Sequence, residues 1–201
     1  MRLKEDDEVT LVFDDGIKRL ARVLDVENRQ FELVQELADN VELPVQVTIA
    51  SGFPKGDKLE FITQKVTELG ASQIWAFPAD WSVAKWDGKK LSKKVEKLEK
   101  IALGAAEQSK RNLVPSVTLF ENKEDFLAQL DQFDRIVVAY EESAKEGESA
   151  ALLQAVTGLE KGAKLLFIFG PEGGLSPAEI ESFEAKGAVL AGLGPRILRT
   201  E

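Results

Sequence analysis

KLLFIFGPEGGLSPAEIESF, residues 164–183, passes from an apolar run through a glycine-bearing turn into a capped helix start. Lys164–Phe169 has the unbroken apolar character of a strand buried on both faces. Ser176 stands at the cap position, Pro177 in the first turn and Glu179 three residues after Ser176, a combination that starts a helix. Strand, loop and helix therefore follow one another without a gap. In open α/β sheets ligands bind beyond the carboxyl ends of strands, and glycines let a ligand approach the backbone closely. Gly170, Pro171, Glu172, Gly173 and Gly174 thus form a candidate binding loop. No Lys-Ser or Lys-Thr follows the glycines and no G-x-G-x-x-G is present, so the phosphate and dinucleotide loops are both excluded. Pro171 removes a donor and Glu172 adds negative charge, which favours a cationic or neutral ligand. An ordinary strand-to-helix turn has the same spacing.

The pattern on either side is that of an α/β protein. VQVTIAS (45–51), QIWAFPA (73–79), RIVVAY (135–140) and AVLAGL (188–193) read as further strands. Asp57 with Glu60 predicts a capped helix placing Leu59, Ile62, Val66 and Leu69 on one face, closed by Gly70. A long basic helix is expected over 89–110, with shorter ones near 148–157 and 177–186. Strands alternating with helices favour a largely parallel sheet. Before Pro44 the character differs: VTLVF, IKRLARVLDV and QFELVQEL are separated by Asp14-Asp15-Gly16 and Glu27-Asn28, the signature of a small antiparallel unit. The reading is two domains, 1–44 and 45–201.

Composition narrows the chemistry. The 201 residues contain neither Cys nor His, which excludes thiol nucleophiles, imidazole bases, disulfides and Cys/His zinc sites. A pyrimidine C5 methyltransferase working through a cysteine adduct is excluded with them. Carboxylates, Lys/Arg, hydroxyls, backbone dipoles or a bound cofactor must do the work, and no metal is expected. No signal core or membrane-length apolar run occurs, so a cytoplasmic protein with no membrane partner is expected. The net charge of -9 is unevenly spread. Residues 1–45 hold twelve acids and six bases, whereas Lys85 to Arg111 holds nine bases and four acids. Lys85, Lys89, Lys93, Lys97, Lys110 and Arg111 are candidate RNA-backbone contacts on and beside the basic helix; a solvated amphipathic helix would look alike. A second strand-to-glycine junction, Leu193-Gly194-Pro195, runs into Arg196 and Arg199, which could face an RNA phosphate or a base.

GPEGG before a helix, LGPRILRTE at the end, Lys65, Glu68, Leu69 and Gly70 as K-x-x-E-L-G, and Ala105-Ala106-Glu107-Gln108-Ser109-Lys110-Arg111 occur in one chain in this order. Together they resemble the RsmE-type 16S ribosomal RNA uridine N3-methyltransferases over nearly the whole length. The resemblance implies a SPOUT-type α/β trefoil-knot domain behind a small PUA-like β-barrel. It implies a homodimer and S-adenosyl-L-methionine as cofactor, with 16S rRNA in the small ribosomal subunit as substrate. Gly170 to Gly174, with Leu193, Gly194, Ile197, Leu198 and Arg199, would then surround the cofactor, and Tyr140 and Glu141 would form a third wall. Arg199, Glu201 and Arg111 would lie nearest the chemistry. Glu201 or Glu172 could take the N3 proton if its pKa is raised, while Arg199 or Arg111 could stabilise the anion on the base. Against that family both ends look short, leaving the barrel and the final helix of the knot incomplete. Another SPOUT RNA methyltransferase, or a non-catalytic RNA-binding assembly protein, would share much of this pattern.

Overall fold

The computed structural model describes residues 3–140 and 150–194. Glu8–Val12 (β1), Lys18–Asp25 (β2) and Gln30–Leu37 (β3) form an antiparallel sheet in the order β1-β2-β3. Asp14-Asp15-Gly16 makes the first turn, with Gly16 at φ 71, as the Asp-Gly signal predicts. Arg19 faces Glu36 directly across β2 and β3 and also holds Asp15.

The second sheet contains Gln46–Gly52 (β4), Gln73–Phe77 (β5), Ser116–Leu119 (β6), Arg135–Ala139 (β7), Lys164–Phe169 (β8) and Val189–Ala191 (β9). Its order is β6-β5-β4-β8-β7-β9, and every pairing is parallel. Helices Lys58–Glu68 (α1), Gly88–Gln108 (α2), Lys123–Ala128 (α3), Ala150–Val156 (α4) and Pro177–Glu184 (α5) connect the strands. Because strand side chains alternate between faces, β5 sends Trp75 and Phe77 to one core and Ile74 and Ala76 to the other. The first core joins Phe126 of α3 and Phe183 of α5, with Phe77 stacked on Phe126 at 4.1 Å between ring centroids. The second holds Leu59 of α1 and Leu91 and Leu98 of α2. In β8, Leu166 and Ile168 join the first core while Leu165 packs in a third with Ala155 of α4. Burial on both faces explains why KLLFIF lacks alternation.

Three local expectations change. Asp57 occupies the N-cap of α1, but its side chain makes no capping hydrogen bond. Glu60 instead takes the Lys97 ammonium of α2. Leu69 does not share the buried face of α1: the helix ends at Glu68 and the chain reverses at Gly70 (φ 101), leaving Leu69 77% exposed. Strand β6 and helix α3, absent from the sequence reading, complete one edge of the sheet. β6 is a four-residue edge strand in which Val117 alone is buried, so its pattern is too short to register.

Candidate functional site

Parallel pairing brings the carboxyl ends of β8, β7 and β9 to one edge of the sheet. Val138 stands opposite Ile168, and Ala139 opposite Ala191. The Tyr140 amide, just past β7, donates to the Ala191 carbonyl at 3.1 Å. The segments that follow these strands therefore leave side by side: Tyr140 after β7, Gly170 to Gly174 after β8, and Leu193 with Gly194 after β9. Glu141, Pro195, Arg196, Ile197, Leu198, Arg199 and Glu201 lie outside the described residues. Tyr140 is half-buried against the first core, Leu193 is exposed, and Gly194 has φ 103 with open space where a Cβ would stand.

The glycine loop folds tightly on itself. The Gly174 amide donates to the Pro171 carbonyl at 2.8 Å. A Cβ on Gly170 would lie 2.8 Å from the Gly174 carbonyl carbon and 3.0 Å from its Cα. One on Gly52, at the end of β4, would lie 2.5 Å from the Pro171 ring. Gly173 is tight for a different reason from the one the ligand reading supplies: its Cβ would meet Trp81 Cβ at 3.0 Å. The glycines thus serve close backbone packing first, and that packing shapes the edge they present.

Glu172 is held by the segment that leads into α1. Its Oε1 accepts the Lys55 amide at 3.0 Å and lies 3.3 Å from the Lys58 ammonium. Burial acts to raise its pKa, but backbone amides of Glu172 and Lys55 and the Lys58 charge outweigh that and hold it below the usual carboxylate range. The raised pKa that a base for N3 would need is not found at Glu172.

A polar network fixes the segment after β5 to the start of α5. Ser176 and Glu179 form the expected capping box, and Glu179, only 1% exposed, also accepts the Asp80 amide at 2.9 Å. Ser176 Oγ donates to Asp80, and Lys123 of α3 pairs with both Asp80 and Glu179. The hydrogen bonds from Lys123 and Ser176 hold the Asp80 carboxyl below its ordinary pKa. A carboxyl with a depressed folded pKa adds stability above its unfolded value and loses it as pH falls through the folded one. Asp80→Asn is therefore expected to flatten the loss of stability below about pH 4, measured as thermal midpoints in a pH series; an unchanged acid slope would contradict the network. Sequence reading did not single out this cluster because Asp80 and Glu179 are 99 positions apart and each resembles an ordinary surface acid.

Arg111 requires a larger correction. Its side chain is 3% exposed. The guanidinium pairs with Glu42 and donates to the carbonyls of Thr67 (3.1 Å) and Ala71 (2.6 Å). Glu42 also accepts the Asn112 and Leu113 amides, while the Asn112 side chain donates to Gly16 and Asp39 carbonyls. Arg111 does not face outward for RNA, nor does it reach the glycine loop within the chain. It sits past the end of α2, near the start of β5, whereas the loop lies beyond the opposite ends of the strands. Its five planar donors suit several fixed acceptors, and here they join the end of α1 to Glu42 in the segment between β3 and β4, while the neighbouring Asn112 reaches the β1–β2 turn at Gly16. The basic motif carried no sign of this role, because Glu42 is remote in sequence.

Lys85, Lys89, Lys93, Lys97 and Lys110 are all exposed. Lys89, Lys93 and Lys97 recur at four-residue spacing on α2 and so share a face. Lys97 is paired with Glu60, whereas Lys85, Lys89 and Lys93 make no ion pair among the described residues. The 21 residues of α2 span about 30 Å, from the glycine-loop edge of the sheet to the β1–β3 unit. Among the described residues no His/Cys/Asp/Glu group could hold a metal ion, and no helix is long and apolar enough to cross a membrane.

Residues 41–201 match the family model described as RNA methyltransferase domain. A Bacillus subtilis protein, ribosomal RNA small subunit methyltransferase E, is 47% identical over 203 residues, which is all of this chain and 79% of the relative. The crystal structure of a ribosomal RNA small subunit methyltransferase E from Neisseria gonorrhoeae bound to S-adenosyl methionine superposes with a TM-score of 0.80 at 25% identity, covering 99% of this chain and 80% of that one. A methyltransferase from Legionella pneumophila in complex with the same cofactor superposes with a TM-score of 0.78 at 25% identity, covering 99% and 79%.

Proposed function

Since this chain belongs to the RNA methyltransferase family, among the ribosomal RNA small subunit methyltransferases E, we propose that it methylates N3 of a uridine in 16S rRNA with S-adenosylmethionine as donor. The observation that carries the site assignment is the convergence of the segments after β7, β8 and β9 at one sheet edge. The residues fit the cofactor. Gly170 to Gly174 contains no Lys or Arg to attract a phosphate, and it offers backbone groups at the sheet edge where Tyr140 follows β7 and Leu193 follows β9. On this reading Gly170, Pro171, Gly173, Gly174, Tyr140, Leu193 and Gly194 border the cofactor, together with Glu141, Ile197, Leu198 and Arg199. The sheet order, with β9 outside β7, is compatible with the trefoil knot we assign to the domain. The β1–β3 sheet is assigned as part of a PUA-like, RNA-binding unit, and the active protein as a cytoplasmic homodimer.

S-adenosylmethionine supplies a methyl group already activated by its sulfonium. The protein must hold the uracil in line with that group and help remove the N3 proton. With Glu172 occupied by lysines and Arg111 buried, Glu201 is left as the base and Arg199 as the group stabilising the uracil anion. N3 lies on the Watson–Crick edge, so the target uridine must be unpaired or turned outward. The exposed lysines of α2 form the path for the RNA backbone between the β1–β3 unit and the cofactor edge. Replacing Lys89 and Lys93 together by Gln should lower RNA affinity and reduce the slope of log affinity against log salt by about 1 to 2; an unchanged slope would remove α2 from the path. In a strain lacking the gene, nucleosides from 16S rRNA should lose N3-methyluridine and regain it on complementation. Unchanged N3-methyluridine would overturn the assignment.

A further inference from the structure

Trp81 stands in the segment between β5 and α2, and it is 49% exposed. The other two tryptophans are committed elsewhere. Trp75 is buried among Phe120, Phe126 and Phe133. Trp86 lies 4.3 Å from the Phe53 ring, with the Lys94 ammonium 4.5 Å above it. Trp81 alone offers a large share of an indole to solvent, and it does so beside the glycine loop. Its Cβ lies 3.0 Å from where a Gly173 Cβ would stand, and its benzo edge lies 3.9 to 4.0 Å from where a Gly174 Cβ would stand. Gly173 is what allows this approach, while a Cβ at Gly174 would make only ordinary contact with the ring, and its φ of 79 is what calls for glycine there.

The preceding residue removes freedom from the segment. Asp80 is held through its amide by Glu179 and through its carboxylate by Ser176 and Lys123. The Ser82 amide then donates to the Ala79 carbonyl at 2.9 Å, closing a turn around Trp81. Such a network exceeds what a solvated surface turn requires. Immediately downstream come Lys85 and Lys89, exposed and without ion pairs among the described residues. A fixed aromatic surface followed by free cations is the arrangement that receives a single-stranded nucleic acid, its base on the ring and its phosphates on the lysines.

We propose that the Trp81 indole is a stacking platform for an unpaired RNA base at or beside the target uridine, set against the cofactor loop by Gly173. It is a substrate-positioning residue with no part in proton transfer. The inference rests on the function proposed above, and the test separates the two.

Wild type, Trp81→Ala and Trp81→Phe are compared on small ribosomal subunits from a strain lacking the modification, using labelled S-adenosylmethionine. Trp81→Ala should raise KM for the subunits about 10-fold or more, with kcat changed much less and S-adenosylmethionine affinity within about 2-fold of wild type. Trp81→Phe, which keeps an aromatic face, should recover most of that loss. A structural role alone would not produce a second signal: single-stranded oligouridylate should quench part of the wild-type tryptophan emission, and the quenched part should be missing from Trp81→Phe. Equal KM values with identical quenching in all three proteins would overturn the platform while leaving the methyltransferase reading intact. Equal loss of cofactor binding in both variants would also overturn it, assigning Trp81 to support of the glycine loop. A wild-type protein that transfers no methyl group to the subunits would instead defeat the underlying function.

Discussion

Gly170→Ala is expected to weaken S-adenosylmethionine binding by about 100-fold or more, read by titration calorimetry, although it adds one methyl group. That methyl would lie 2.8 to 3.1 Å from the carbonyl carbon, Cα and oxygen of Gly174. Those are backbone atoms, so no rotamer change relieves the contact. The loop must open, and with it moves the edge that faces the segments after β7 and β9. Folding should lose about 1 to 3 kcal/mol for overpacking at one site. Gly104→Ala is the matched control: Gly104 lies within α2, a Cβ there meets nothing within 4 Å, and helix propensity predicts a gain of about 1 kcal/mol. Full cofactor affinity in Gly170→Ala would mean that the loop does not border the cofactor.

Arg111→Ala should produce the largest loss of stability of any single change considered, about 3 to 5 kcal/mol. For a chain of this length that lowers the thermal midpoint by roughly 10 °C. Several buried acceptors lose their donor at once. The Glu42 carboxylate, 19% exposed in the intact pair, loses its counter-charge, and the Thr67 and Ala71 carbonyls lose their partner. Arg111→Lys should recover only part of the stability, because one ammonium cannot reproduce a planar fork directed at acceptors on two sides. Differential scanning calorimetry decides the matter. A variant with an unchanged midpoint but impaired RNA binding would return Arg111 to the role its basic neighbourhood suggests in the sequence.

The contrast between these two positions shows what the chain displays locally. The glycine loop is legible because its signals are contiguous: an apolar strand, a break and a capping box act within twenty residues. The Asp14-Asp15-Gly16 turn and the Ser176/Glu179 cap are read correctly for the same reason. Arg111 is misread because burial depends on Glu42 and on carbonyls of α1, which the local basic composition conceals. Asp80, Lys123 and Trp81 are missed similarly, each acquiring its role only when β5, α3 and α5 meet. Leu69 fails on a finer point, since helical periodicity continues past the residue where the helix stops. The identity of the chemistry comes from motif resemblance, and the fold sets the described starts of the GPEGG and LGPRILRTE segments at one edge of the sheet, after β8 and β9.

Methyl transfer from S-adenosylmethionine to uridine N3 in 16S rRNA is tested with purified protein, labelled cofactor and small subunits from a strain lacking the modification, the product being digested to nucleosides and separated by chromatography. The label should co-elute with N3-methyluridine in the wild-type reaction and be absent with Gly170→Ala. Label in any other nucleoside, or none in N3-methyluridine despite measurable cofactor binding, would contradict the account.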